Sequence, residues 1–392
     1  MTDTPNDRSA SALAKVARMN AAMHHEEPDR VPMGEFYWGG FLRRWRAELS
    51  LPEETNPYKY YDLDWIVTVP NMDPHIKPFE ILLENSEEVV LRTGFEAVLH
   101  KRYNIPMPES RSWETDTIEK LEAFQFDDPW DKRRYYDDGD HQIGGVGDGF
   151  QRNCTAWIDT VKSIRPDFAV YGSIIEASEC LTRLIGQMNT LNWIGEYPDR
   201  LGEQILRIGD FYVECLKAQL DAGSGLLDGI VIWGDVAYAA NMFFSPDYWR
   251  AYYRPCVEKM IKLCHDKGLP VIYHGCGNVV SILPDFIEMG LDAYNPLEAK
   301  AGLDVVELRR QYGHKIAFCG NSNMQVWEEG DLDKVRNEVL RKLNAAKGGG
   351  LIFQSDHSVS SAVSGNVYNY IVKLVREYGN YPLNLGEYDE RM

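Results

Sequence analysis

Short runs of β-branched and aromatic residues recur along the chain, and most are separated by segments whose apolar positions return every three or four residues. Eight runs stand out: VPMGEF (31–36), DWIVTV (64–69), FAVYGSI (168–174), GIVIWG (229–234), PVIYHG (270–275), AYNPL (293–297), KIAFCG (315–320) and GLIFQS (350–355). Alternation of this kind predicts parallel βα units, and eight strands in one chain predict an α/β fold of the (β/α)8 TIM-barrel type. SPDYWRAYYRPCVEKMIKLCHDKG reads as one amphipathic helix with a Ser-Pro start and a Gly stop, and DLDKVRNEVLRKLNAAKGGG repeats that punctuation. Residues 1–27 read as an arm with a leading helix, and 28–392 as a single barrel domain. A long insertion of about a hundred residues separates strands two and three. Within it the Thr-Gly of EVVLRTGFEAVLHKRYN predicts a hairpin, and an acidic loop, YDDGDHQIGGVGDG, follows. The insertion is expected to cap or rim the barrel mouth.

Composition narrows the ligands. With 392 residues, 44% of them apolar, the chain can bury a large core without disulfides or a structural metal. Its 41 Lys and Arg against 60 Asp and Glu give a net charge of −19. That charge argues against nucleic acid or an anionic membrane surface, which require basic patches. The seven cysteines follow no framework spacing, and no secretory signal or apolar run of membrane-spanning length is seen, so a reducing cytoplasm is the expected compartment. Small molecules and protein partners remain, including a second copy in a homodimer.

In such barrels the chemistry sits at the C-terminal ends of the strands. The polar residues there are Glu35, Asp64 with Asn71, Glu176 and Glu179, Asp235, His274 with Cys276, Glu298, Cys319 with Asn321, and Asp356 with His357. An extended His-x-Cys presents imidazole and sulfur on one face. Histidine, cysteine and carboxylate around one mouth suit zinc, which takes nitrogen, thiolate and oxygen ligands and keeps a position open when it is catalytic. His274 and Cys276 would supply two ligands, His357 the third, with Cys319 its competitor. The competing interpretation is two core side chains, since free cysteine is commonly buried. Cys256 and Cys264 are expected to face the core, and His24 and His25 the solvent. Asp137, Asp138, Asp140 and His141 read as a solvated loop. GGVGDG (144–149) lacks the Lys-Ser/Thr ending of a phosphate loop and reads as a flexible turn. Glu176 and Glu179 could do acid/base work or simply favour a helix N-terminus.

Taken together, EEPDRVP (26–32), WGDVAYAANMFFSPDYWRAYYRP (233–255), YHGCGNV, GLDAYNP, KIAFCGN and GGGLIFQSDHS (348–358) resemble the uroporphyrinogen decarboxylase superfamily over most of the chain. The resemblance implies the same barrel and two branches of activity. True uroporphyrinogen decarboxylases carry an arginine-rich segment after the first strand, where guanidinium groups hold the substrate's carboxylates. Here that place reads MGEFYWGGFLRRW, with Glu35 and aromatics first and Arg43, Arg44 and Arg46 only later. The corrinoid-dependent methyltransferases resemble this chain in their His-x-Cys-Gly after strand five. They bind zinc through that pair and a cysteine near the strand-eight loop, where this chain has His357.

The second branch implies a zinc enzyme moving a methyl group between a small methylated substrate and a corrinoid (cobalamin) on a partner protein. The cobalt supplies the nucleophile, and zinc activates an ether oxygen or a thiol. Asp235 and Glu298 would then be a fourth ligand or a proton donor, with Glu35 a third acidic candidate. Tyr37, Trp38 and Trp233, with Phe36 and Trp65, would suit a methoxylated aromatic donor, and Asn321 is a further candidate contact. The alternative is a metal-free lyase or decarboxylase on a small carboxylic acid, with His357 and Asp235 handling protons.

Overall fold

A computed structural model describes residues 8–143 and 150–392; the GGVGDG turn at 144–149 lies outside the described residues. Thirteen strands are present among them: β1 (Trp65–Val67), β2 (Glu80–Glu84), β3 (Glu88–Arg92), β4 (Ala97–Arg102), β5 (Glu109–Trp113), β6 (Gly139–His141), β7 (Gln151–Cys154), β8 (Ala169–Ile175), β9 (Gly229–Trp233), β10 (Val271–His274), β11 (Ala293–Asn295), β12 (Ala317–Cys319) and β13 (Leu351–Ile352). Seven form one curled sheet in the order β1-β8-β9-β10-β11-β12-β13, every neighbouring pair parallel. Helices separate most of them in the chain, giving a TIM-barrel-like α/β fold.

The first run, 31–36, is not a regular strand. It makes a single parallel bridge, Met33 to Phe353, yet its backbone reaches both edges of the sheet. The Gly34 N–H donates to the Phe353 carbonyl at 3.1 Å, the Phe353 N–H to the Pro32 carbonyl at 2.8 Å, and on the other side the Asp64 N–H to the Met33 carbonyl at 2.9 Å. Pro32 has no N–H to give, which keeps the ladder short.

Side-chain alternation along the strands separates two apolar layers. Ala169, Tyr171, Val231, Ile272, Ala293, Ala317 and Ile352 face a common interior, into which the helix Ala10–Met23 sends Met19, Ala22 and Met23. Their neighbours Val170, Ile230, Ile232, Val271, Tyr273, Tyr294 and Phe318 pack outward with the surrounding helices. The same period carries inward-facing positions on to Trp233, His274 and Asn295 at the strand ends.

The segment after β9 forms two helices instead of one. Ser245 caps Pro246–Tyr252 by accepting from the Tyr248 N–H, and a second helix runs Arg254–His265. Pro255, without an N–H, cannot continue the ladder across Tyr253. Cys256 and Cys264 are buried, as their spacing suggested. Between β1 and β8 stand the antiparallel sheet β2-β3-β4-β5 and the pair β6-β7. The turn from β3 to β4 uses Gly94, where a Cβ would come within 2.2 Å of the His75 carbonyl oxygen. Asp138 and Asp140 of the acidic loop accept backbone N–H bonds from Ala156, Phe79 and Asn153, so they secure this segment. Among the described residues no helix is long and apolar enough to cross a membrane.

Candidate functional site

At the end of β10 the chain turns sharply through Gly275, Cys276 and Gly277. A Cβ at Gly275 would lie 2.7 Å from the Gly234 carbonyl oxygen, and one at Gly277, where φ is +85°, 2.5 Å from the Ala237 carbonyl carbon. Only glycine fits both places. The turn folds Cys276 back so that its Sγ stands 3.8 Å from His274 Nε2. Two carboxylates hold it there. Asp235, after β9, accepts the Cys276 N–H at 2.8 Å, and Glu298, after β11, accepts the Gly277 N–H at 2.9 Å. His357 arrives from the segment after β13, its ring lying nearly parallel to Trp38 at 6.1 Å.

Two donor sets result, Asp235–His274–Cys276 and Cys276–Glu298–His357, each with its ligand atoms within 4.8 Å of one another. Tetrahedral zinc with bonds of about 2.0 Å to nitrogen and 2.3 Å to sulfur separates those two atoms by roughly 3.5 Å. The 3.8 Å found here is close to that separation. His274 Nδ1 is engaged with Asn295 Oδ1 at 2.5 Å, which leaves Nε2 for the metal side. The residues therefore fit zinc.

Electrostatics set the protonation of the cluster without a metal. Burial, then the charge of Glu179, raises Asp235 to about 7. Burial, then the neighbouring carboxylates, pushes the Cys276 thiol well up, and burial lowers His274. The protein alone holds this cluster protonated at sulfur, and a cation is what would favour the thiolate.

Above the cluster is a cavity of about 260 Å³ walled by Phe36, Trp38, Tyr58 and Trp233, with Val67, Val69 and Ile175 completing its apolar face. Met107, Gln142 and Ile143 of the segment between β1 and β8 line it as well. A second lobe of about 180 Å³ shares Phe36, Trp38, Asp235 and His274 with the first and reaches Cys276 and His357. Arg183 is the arginine of the main lobe, and it is ion-paired with Glu179. Arg44 is paired with Glu48, Arg46 donates to the Thr55 carbonyl, and Arg43 is exposed; none of the three lines either lobe.

Other residues singled out in the sequence lie elsewhere. Cys319 is fully buried in the barrel interior, its Sγ donating to Gln354 Oε1 at 3.1 Å, and it joins neither donor set. Asn321 ties loops together, donating to the Leu297 and Leu303 carbonyls and accepting from the Val305 N–H and Lys342. Tyr37 bonds Tyr368 in the outer core, and Trp65 packs on Tyr171 inside the barrel. Asp64 precedes β1 and is paired with Arg18 and Arg30, so it belongs to the opposite end of the sheet from the mouth. His25 is half-buried against Arg309 and His314, not free in solvent.

Glu35 is 2% exposed and sits beneath the His357 segment. The Ser355 hydroxyl lies 2.6 Å from Glu35 Oε1 and also meets the His357 carbonyl. A single hydroxyl proton would have to be shared between these two acceptors. Burial raises Glu35 to about 8 against the hydrogen bond from Ser355, so it keeps its proton and can donate to Ser355 Oγ, which donates onward. Glu176 is likewise buried and raised to about 8, beside Ser178. Sequence reasoning missed Asn295, Tyr58, Arg183 and Gln354. Asn295 and Gln354 carried a signal, each two positions beyond an inward-facing residue, Ala293 and Ile352.

Residues 150–378, more than half of the chain, match the family model described as Uroporphyrinogen decarboxylase (URO-D). Uroporphyrinogen decarboxylases from two strains of Thermus thermophilus are 27% identical over 169 residues, 41% of this chain. The matched stretch spans 44% of those relatives' length. A methyltransferase from Methanosarcina mazei superposes with a TM-score of 0.62 at 18% identity, covering 93% of this chain and 98% of that one. At that identity the likeness is one of fold.

Proposed function

We propose that this chain, which belongs to the uroporphyrinogen decarboxylase family, is a zinc-dependent methyltransferase that moves a methyl group between a small methylated substrate and a corrinoid on a partner protein. The observation that carries this reading is His274 Nε2 and Cys276 Sγ, 3.8 Å apart at the floor of an aromatic cavity. A uroporphyrinogen site needs cations for its many carboxylates, whereas the arginine at this cavity is already paired with Glu179.

His274 and Cys276 would hold the zinc, with Asp235 or Glu298 and His357 completing the set. Bound there, zinc supplies Lewis-acid activation of the methyl-bearing or methyl-accepting atom, while the corrinoid supplies the cobalt nucleophile. Phe36, Trp38, Tyr58 and Trp233 would stack a methoxylated ring and exclude water from it. Asp235 keeps Oδ1 on the Cys276 N–H, and where Glu298 and His357 complete the set its Oδ2 would be free to pass a proton to a departing oxygen.

The test pairs two measurements on the purified protein. It should contain about one zinc per chain. It should also methylate cob(I)alamin from a methoxylated aromatic, followed by the change in corrinoid absorption. Protein never exposed to chelator that holds no zinc and cannot be reconstituted would sink the proposal.

A further inference from the structure

Asn295 has a constrained role at this site. Its side chain is buried, at 1% exposure, between His274 and β12. Its Nδ2 donates to the Cys319 carbonyl at 2.8 Å and leans toward Gln354 Oε1 at 3.4 Å. Gln354 Oε1 also accepts from Cys319 Sγ. A backbone carbonyl can only accept, so reversing the Asn295 amide would set oxygen against oxygen and lose that bond. The amide orientation is thereby decided: Oδ1 faces His274 Nδ1 at 2.5 Å. An amide oxygen can only accept too, so Nδ1 of His274 must carry the proton. A neutral imidazole with its proton on Nδ1 has its lone pair on Nε2, and Nε2 is the atom facing Cys276 Sγ.

We propose that Asn295 is the positioning residue of this site, transmitting the fixed direction of the Cys319 carbonyl to His274 so that Nε2 is bare and aimed at Cys276 before any metal arrives. Cys319 then takes part through its backbone oxygen, its sulfur remaining in the core. The metal half of this proposal rests on the zinc reading above; the tautomer half does not. Partners that orient a ligating histidine typically contribute about 10- to 100-fold in metal affinity.

The experiment uses full-length protein freed of metal, with histidine ring nitrogens labelled with ¹⁵N and His274 assigned by its loss in His274→Gln. In wild type, Nδ1 should resonate as a protonated nitrogen and Nε2 as an unprotonated one. Asn295→Leu keeps the volume and removes the acceptor, so His274 should shift toward the Nε2-protonated form, and zinc affinity against a chromophoric chelator should fall about 10- to 100-fold. Asn295→Asp keeps an acceptor toward His274, so Nδ1 should stay protonated, while its second oxygen opposes the Cys319 carbonyl and gives up the bond that fixes the side chain. Wild-type protein with its proton on Nε2 would overturn the proposal without any variant. So would a folded Asn295→Leu protein with an unchanged pattern, or one with a changed pattern and unchanged zinc affinity. Wild-type protein with the proton on Nδ1 and no affinity for zinc would overturn the zinc reading and the metal half with it, leaving the tautomer assignment standing.

Discussion

Replacing Glu35 by glutamine isolates the cost of keeping an acid inside the barrel. The native protein raises this carboxyl from 4.5 to about 8, with burial the dominant cause. Between those two values the unfolded chain has released the proton and the folded one still holds it. The unfolded state therefore binds fewer protons, and the contribution of Glu35 to stability is complete below pH 4.5 and is lost as pH rises to about 8. At about 1.4 kcal/mol per pH unit, that interval corresponds to roughly 5 kcal/mol, an upper figure. Glutamine cannot ionise, and its amide can donate to Ser355 Oγ as the protonated acid does. Any misfit it introduces adds a constant offset, so the diagnostic quantity is slope. Denaturant unfolding of both proteins across this range should show Glu35→Gln gaining on wild type steadily above pH 4.5, with no gain below it. Infrared difference spectra near pH 6 should show a protonated carboxyl band in wild type that the variant lacks. A stability difference that stays constant across the range, with no such band, would refute the reasoning.

Cys276→Ala should abolish zinc binding and methyl transfer yet leave a cooperatively melting protein, because the barrel core is far larger than the site; aggregated or molten protein by circular dichroism would make the metal structural, and full activity without zinc would make it incidental. Gly277→Ala should weaken zinc binding with the fold kept, since its Cβ collides with the Ala237 backbone and displaces Cys276; unchanged affinity by chelator competition would contradict the geometry. Trp38→Ala should raise KM for an aromatic donor by up to about tenfold, the scale of one ring contact, at unchanged zinc content. Incubation with uroporphyrinogen should yield no coproporphyrinogen by chromatography, and appreciable turnover would overturn the reading of the pocket.

Much of the arrangement was legible from period-two alternation alone. Ile272 inward implies His274 inward, and Val231 implies Trp233, so alternation placed one candidate ligand and one aromatic wall on the right face. Cys276 lies beyond the end of β10 and reaches His274 through the Gly275–Gly277 turn, not through extended spacing. Cys319 shows where that reasoning stops. It follows inward-facing Ala317 by the same step, yet the register pairing it with Ile352 is sheared relative to the barrel axis, and equal rank along two strands is not equal height. Tyr37 and Trp65 were misplaced for a related reason, since composition says an aromatic will be buried but not against what. Pro255 was visible in the sequence, and weighing its missing N–H would have split the helix correctly. Tyr58 reaches the cavity through its bond to the Glu35 carbonyl, a contact between separate segments that no local pattern encodes.

The backbone bonds of residues 32–34 have a consequence for how the chain is made. Met33 pairs with Phe353, 320 residues downstream, while its carbonyl accepts from Asp64 nearby. On a ribosome the segment at residues 32–34 has one partner almost at once and waits for the other until some 320 further residues have been synthesised. Throughout that interval β1 and the growing parallel sheet carry open edges, the condition in which long-range topologies fold slowly and stick to one another. The order of these segments along the chain, and not the strength of their packing, therefore predicts a reliance on chaperones during expression.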